Sequence, residues 1–387
     1  MTVYLDYNAT SPLCGAAIQA VNNGMQWIGN PSSVHGYGRK SRQEIEQARQ
    51  DIASCLRVAS QRVVFTSGAT EANNMALAHF PGRVFVSAIE HDSVRLVRSD
   101  AVIIPVTGDG VVDLKSLEIL LSKPYGGPTL ISVIAAHNET GVVQPLADII
   151  ALAKQYRACV HSDCVQGLGR IDFPWETLDM LSFSAHKIGG PAGVGCLVIH
   201  SDWPLKAFLR GGGQERSLRP GTENMIGIMG MAAALRQNRH QDWSKTNRLR
   251  LSMENTLLTL SPNSIVIGQD AIRLPNTTLI TMPGVKSETQ VMNLDLQGFA
   301  VSSGSACSSG KVRLSPALRA MGIDKDAQET ALRISLTPTT TEAEINAFVQ
   351  AWYEVFERCT KQDTFDNVSL YLKDKKRVNN HAHIDFA

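Results

Sequence analysis

A chain of 387 residues, 43% hydrophobic and 19% charged, has the composition of a globular protein and exceeds the usual size of one compact domain, so two domains are expected. A formal net charge of +1 gives no basic field for nucleic acid or a membrane surface, and neither is an expected partner. No apolar run approaches the ~20 residues that span a bilayer, and the opening MTVYLDYNAT lacks the basic and apolar regions of a secretory signal, which points to the cytoplasm.

In chain order, SRQEIEQARQDIASCL (41–56) is an amphipathic helix with Ile45, Ala48, Ile52 and Leu56 on its apolar face. VVFTS (63–67) is a strand, followed by a helix from near Thr70. RVFVSA (83–88), AVIIPVT (101–107), LISVIAAH (130–137), MLSFSAH (180–186) and GCLVIH (195–200) are further strands, with helical stretches between most of them. Near-continuous apolar strands alternating with helices predict a mostly parallel sheet covered on both faces. CVHSDC (159–164) holds two of seven scattered cysteines; its alternation reads as a strand rather than a metal site, and no metal is expected.

From about residue 243 the texture changes. A helix over 243–260 leads to short strands in SIVIG, TTLITM and AVSSGSA, with helices over 287–297, 315–321 and 341–358. This predicts a smaller α+β unit. The tail from about 362 is polar, basic in its middle, and reads as a surface-packed or loose terminus.

Several strand ends carry residues suited to one chemistry. Lys187, in SFSAHKIGGPAGVG, follows an apolar strand and precedes a glycine-rich turn; it is an ordinary strand-end lysine or the covalent anchor of pyridoxal phosphate. TSGATEANN (66–74) opens a helix whose free amides, with the Thr70 hydroxyl, suit a phosphate. Asp163 either caps a helix or pairs with a pyridinium nitrogen, and Gln166 would then reach the ring oxygen. His91 is structural or stacks on the ring, and Asn138 ends another strand. Arg219 and Thr222 lie in GGGQERSLRPGTEN. Ligands of open α/β sheets gather at these carboxyl ends. No G-x-G-x-x-G follows the first strand, which weakens a dinucleotide reading.

These motifs in this order, with YLDYNATSP (4–12), GNPSSVHGYGR (29–39), HNETGVVQP and SSGSACSSG, resemble the cysteine desulfurases of the NifS/IscS family, from residue 4 to about 345. The resemblance implies an α/β, fold type I PLP-dependent transferase, as in aspartate aminotransferase. It implies a large, mostly parallel seven-stranded domain (13–250), a small α+β domain (1–12 plus 251–365) and a tail (366–387).

It further implies pyridoxal 5′-phosphate as cofactor and Lys187 as its anchor. Ala69, Thr70, Ser184, His186 and Thr222 would hold its phosphate, with Thr222 supplied by the other subunit of a homodimer. Asp163 would pair with the ring nitrogen, Gln166 with the ring oxygen, His91 with the ring face, and Asn138 with cofactor or substrate. Arg333 in ALRISL, helped by Asn30, would grip the substrate carboxylate. Cys307 would take sulfur from L-cysteine as a persulfide, leaving L-alanine, and pass it to a protein acceptor in iron–sulfur cluster assembly or thiolation.

The long segment between Cys307 and Arg333 matches the NifS/IscS branch. SLTPTTTEAEI, DCVQ and SSGKVRLSPAL depart from the common SLGRFTTEEEI, DAxQ and LEPS patterns, which leaves the acceptor open. A selenocysteine lyase, another class V PLP enzyme, or a non-catalytic PLP-binding assembly subunit are the competing readings.

Overall fold

The computed structural model describes residues 2–199, 206–207, 209–304 and 314–360. Twelve strands are defined: β1 (Val3–Tyr4), β2 (Val63–Thr66), β3 (Arg83–Ser87), β4 (Val102–Ile104), β5 (Thr129–Ser132), β6 (Cys159–Asp163), β7 (Met180–Ser184), β8 (Gly195–Ile199), β9 (Thr277–Thr281), β10 (Phe299–Ala300), β11 (Ser302–Ser303) and β12 (Ala331–Ser335).

β2 to β8 form one sheet in the order β2-β8-β7-β6-β5-β3-β4. Its pairings are parallel except those of β8, which runs against both β2 and β7. The other strands therefore share one direction and bring their carboxyl ends to one edge.

The unbroken apolar runs have a direct cause. Val63, Phe65, Phe85, Ile131, Leu181, Phe183, Cys196 and Val198 enter a core on one face. Their chain neighbours Val64, Val84, Val86, Leu130, Met180, Leu197 and Ile199 enter a second core on the other. Successive side chains point to opposite faces, so a strand covered on both must be apolar throughout. The predicted helix 41–56 extends back to Gly36–Leu56 and packs with Gly15–Gly24 against Met225–Asn238.

A third core joins Leu5 to Met253, Leu257, Val266, Ile280, Leu332, Phe348 and Trp352. It lies against a three-stranded antiparallel sheet, β11-β12-β9. The helix Ser244–Leu260 crosses residue 250 and puts Met253 and Leu257 into this core. A helix over 342–360 supplies Phe348 and Trp352.

Two predicted strands differ from the structure. SIVIG contributes one isolated bridge, Val266 to Ile280. The Thr281 hydroxyl, where a ladder would use a carbonyl, accepts the Ile265 amide at 3.0 Å. AVSSGSA is not one strand: β10 pairs in parallel with β1, and β11 pairs antiparallel with β12. Among the described residues no helix is long and apolar enough to cross a membrane.

Candidate active site

The carboxyl edge of the large sheet collects most of the candidate residues. Where β2 ends, Ser67 and Gly68 lead into the helix Ala69–Leu77. A Cβ on Gly195, the first residue of β8, would stand 2.5 Å from the Gly68 Cα. Glycine at 195 therefore lets the turn settle onto the sheet. The buried Ser184 hydroxyl, at the end of β7, accepts the Ala69 amide at 2.7 Å. Thr70 lies exposed in the first helical turn, whose amides have no intrahelical partner. Glu71 accepts the Ser67 amide at 2.6 Å and the Arg219 guanidinium at 2.9 Å, tying the glycine-rich 211–224 segment to this turn. Thr222 lines a cavity of about 100 Å³ with Thr66, Ser67 and Arg219.

Asp163 ends β6 and is buried. Its carboxylate accepts the Asn73 amide at 2.7 Å and the Val165 backbone amide at 3.0 Å. Burial nonetheless raises its pKa above the ordinary carboxylate value. The same Asn73 nitrogen donates to Ser93 Oγ at 2.9 Å, and Ser93 Oγ lies 2.8 Å from His91 Nδ1. The Ser93 amide also donates to Nδ1, so Nδ1 is the acceptor and the ring proton resides on Nε2. Asn73 thus links the carboxylate to the exposed His91. It was not among the residues expected from sequence; its one signal there is a polar residue on the otherwise apolar buried face of its helix.

Lys187 follows β7. Its Nζ donates to the backbone carbonyls of Asn8 at 2.6 Å and Ala9 at 2.9 Å. Burial, then the Arg333 and Arg170 guanidinium groups, pull its pKa from 10.5 to about 8, against Asp6 and Asp163. His186 sits beside Thr10 at 3.2 Å; burial and Lys187 lower it to about 4, so its imidazole is neutral. Gln166 is buried, donating to the Asn8 carbonyl at 3.0 Å and accepting from Arg170 at 2.7 Å. Asn8 and Arg170 also escaped the sequence reading.

Arg333, in β12, is buried and pairs with Asp6 at 2.7 Å, and its other terminal nitrogen lies 3.4 Å from the Asn138 carbonyl. Opposite it in register is Ser302, in the strand that leads toward residue 305. Ser315, at the start of the next described segment, donates to Glu139 at 3.1 Å. Cys307 lies outside the described residues. Of the cysteines within them, burial pushes up the thiols of Cys55, Cys159, Cys164 and Cys196, Cys159 to about 11. A thiol so shifted is a poor source of thiolate. Asn30 is exposed, its side-chain Oδ1 accepting the Ser32 amide at 2.9 Å in the turn before Gly36–Leu56.

The donors present fit pyridoxal phosphate. They offer an amine of reduced basicity, a buried carboxylate, an amide and a histidine beside it, and a helix N-terminus with a buried serine. A lysine at about 8 holds on the order of a hundredfold more neutral amine at pH 8 than an ordinary lysine. The rate of pyridoxal phosphate uptake by the apoprotein is therefore expected to climb as pH rises through about 8 and to level above it, because only the deprotonated amine attacks an aldehyde. Stopped-flow absorbance checks this; a rate still rising steeply past pH 9.5 would contradict it.

The aminotransferase class-V family model matches residues 3–348. The chain is 38% identical over 366 residues to a cysteine desulfurase of Cereibacter sphaeroides, covering 90% of this chain and 94% of that one. It is 33% identical over 376 residues to the cysteine desulfurase IscS of Dictyoglomus turgidum, covering 92% and 95%. A NifS-like protein from Rickettsia africae, solved by X-ray methods, superposes with a TM-score of 0.86 at 37% identity, covering 92% of this chain and all of that one. The chain belongs to the class-V aminotransferase family, the pyridoxal-phosphate-dependent enzymes of fold type I. Within it, its place is with the cysteine desulfurases of the NifS/IscS kind.

Proposed function

We infer that this protein removes sulfur from L-cysteine, giving L-alanine and a persulfide on Cys307. The observation that carries this reading is that Asp163 and Arg333 both lie within electrostatic reach of Lys187, with Arg333 paired to the strand that leads to the Cys307 segment.

Pyridoxal phosphate held by Lys187 supplies an electron sink that acidifies the substrate Cα–H and weakens its C–S bond. The turn at Gly68–Thr70, with Ser184, His186 and Thr222, takes the phosphate. Asp163 keeps the ring nitrogen protonated, Gln166 meets the ring oxygen, and Asn138 lines the cofactor or substrate side. Arg333 binds the substrate carboxylate, exchanging its bond to Asp6 for it, with Asn30 assisting. Lys187 moves the proton at Cα, and His91 assists proton transfer from its Nε2. The Cys307 thiolate attacks the substrate sulfur; the S–S bond forms as the C–S bond breaks, and the carbon keeps the electron pair and is protonated. Cysteine plus enzyme thiol thus gives alanine plus enzyme persulfide, with no outside oxidant.

The reading includes a cytoplasmic homodimer, in which Thr222 serves the other subunit's phosphate site, and a protein acceptor for the sulfur. It also keeps a large and a small domain, supported by the separate core around Trp352, with the boundary ahead of the helix Ser244–Leu260 that packs into that core rather than at 250. Turnover of L-cysteine, L-selenocysteine and keto-acid acceptors tests the activity. Alanine from L-cysteine without transamination is expected; activity on L-selenocysteine alone, or transamination, would overturn it.

A further inference from the structure

Arg170 is a buried guanidinium whose hydrogen bonds all go to neutral acceptors. It donates to Asn8 Oδ1 at 2.6 Å, to Gln166 Oε1 at 2.7 Å and to the Lys187 carbonyl at 3.2 Å. Its guanidinium carbon lies over the Tyr7 ring, 5.0 Å from the ring centre. Among the described residues it makes no ion pair with a carboxylate. Leaving a cation in that state is expensive, and proteins rarely do so without use.

The chemistry of the group sets its neighbours. A guanidinium donates and never accepts. The oxygen of the Gln166 amide must therefore face Arg170, which turns the NH₂ the other way. One N–H of that NH₂ is taken by the Asn8 carbonyl at 3.0 Å, and the second is left for an acceptor in the site. The same logic fixes Asn8: its oxygen faces Arg170, and its nitrogen donates to Thr277 Oγ1 at 2.9 Å and the Asn138 carbonyl at 3.1 Å. The Asn8 backbone carbonyl in turn holds Lys187 Nζ. One fork thus orients two amides and touches the residue that carries the anchoring amine.

We propose that Arg170 is a positioning residue of the active site, locking the Gln166 amide with its NH₂ toward the cofactor's ring oxygen and setting a fixed positive charge beside Lys187. This rests on the roles proposed for Gln166 and Lys187. The charged and titratable groups facing Lys187 are Arg333, Arg170, Asp6 and Asp163, with His186 adjacent. Removing one of the two cations leaves the two carboxylates less opposed, so the amine should become more basic and an anionic ring oxygen less favoured.

The test is a pH titration of the visible absorbance of the bound cofactor in the holoenzyme, with parental protein, Arg170→Met and Arg170→Lys. Arg170→Met is expected to move the midpoint upward by on the order of one pH unit. Arg170→Lys, which keeps the charge without the fork, is expected to return most of that shift. The pH at which apoprotein takes up pyridoxal phosphate should move in the same sense. Should Arg170→Met not fold, Arg170→Gln, also neutral, takes its place with the same expectation. A neutral variant with the parental midpoint overturns the proposal even if its stability falls, since a purely structural arginine would do only that. If parental protein develops no visible band, or Lys187→Ala keeps an unaltered one, the site assignment itself fails and the proposal falls with it.

Discussion

Lys187→Ala is expected to lose roughly 10⁴-fold in alanine formation from L-cysteine, because the variant lacks both the covalent anchor and the group that moves the Cα proton. The loss should not be a folding effect. Among the described residues the ammonium donates only to the carbonyls of Asn8 and Ala9, and burial with the Arg333 and Arg170 charges already lowers its pKa to about 8. Deleting it removes a partly desolvated cation near Arg333 and Arg170. The expected result is a protein with an unchanged denaturation curve that binds pyridoxal phosphate more weakly and without the lysine linkage. Alanine quantitation with absorbance spectra checks it; parental turnover in this variant would remove Lys187 from the chemistry.

Asp163→Asn is expected to separate activity from stability in opposite directions. The carboxylate is buried, and its pKa is raised by that burial. A raised carboxyl pKa means the folded chain holds the proton more tightly than the unfolded chain. Keeping Asp163 ionised therefore costs stability, and the cost grows as pH rises from the ordinary carboxylate value toward the folded one. Asparagine removes that cost. Its one oxygen can still accept the Val165 amide, as Oδ1 of the carboxylate does at 3.0 Å, and its NH₂ then faces Asn73 in place of Oδ2, which Asn73 accommodates by turning its amide over to present the Oδ1 that has no partner among the described residues. The amide presents an N–H donor to the ring nitrogen, so that nitrogen loses its proton and the ring its electron demand. Activity should fall by about 10²–10⁴-fold while apoprotein stability at neutral pH holds or rises. Thermal unfolding of the apoprotein alongside turnover measures both; equal losses in both would mean the residue is structural.

What could be read along the chain is what the chain encodes locally. The apolar strands, the turn into Ala69–Leu77, and Asp163 and Lys187 at strand ends each follow from a short stretch of residue types. The polar framework behind them does not. Asn73 meets Asp163 across 90 positions, Gln166 meets Asn8 across 158, and Arg170 meets Asn8 across 162. None of these pairings has a local pattern to mark it. The buried pair of Arg49 with Glu215, at 2.6 Å, was likewise invisible. It pins the segment 215–217, whose three residues all take positive φ. Positive φ is uncommon for non-glycine residues, and nothing in the sequence ERS announces it. SIVIG shows the opposite error: its alternation is strand-like, but the Thr281 side chain takes over part of the ladder.

The most direct measurement is the mass of the peptide containing Cys307 after the holoenzyme meets L-cysteine without reductant. The account predicts one added sulfur atom on Cys307, removed by thiol, with one alanine formed for each sulfur gained in a single turnover. Alanine formed in that amount with Cys307 unchanged, or Cys307→Ser forming alanine at the parental rate, would contradict it.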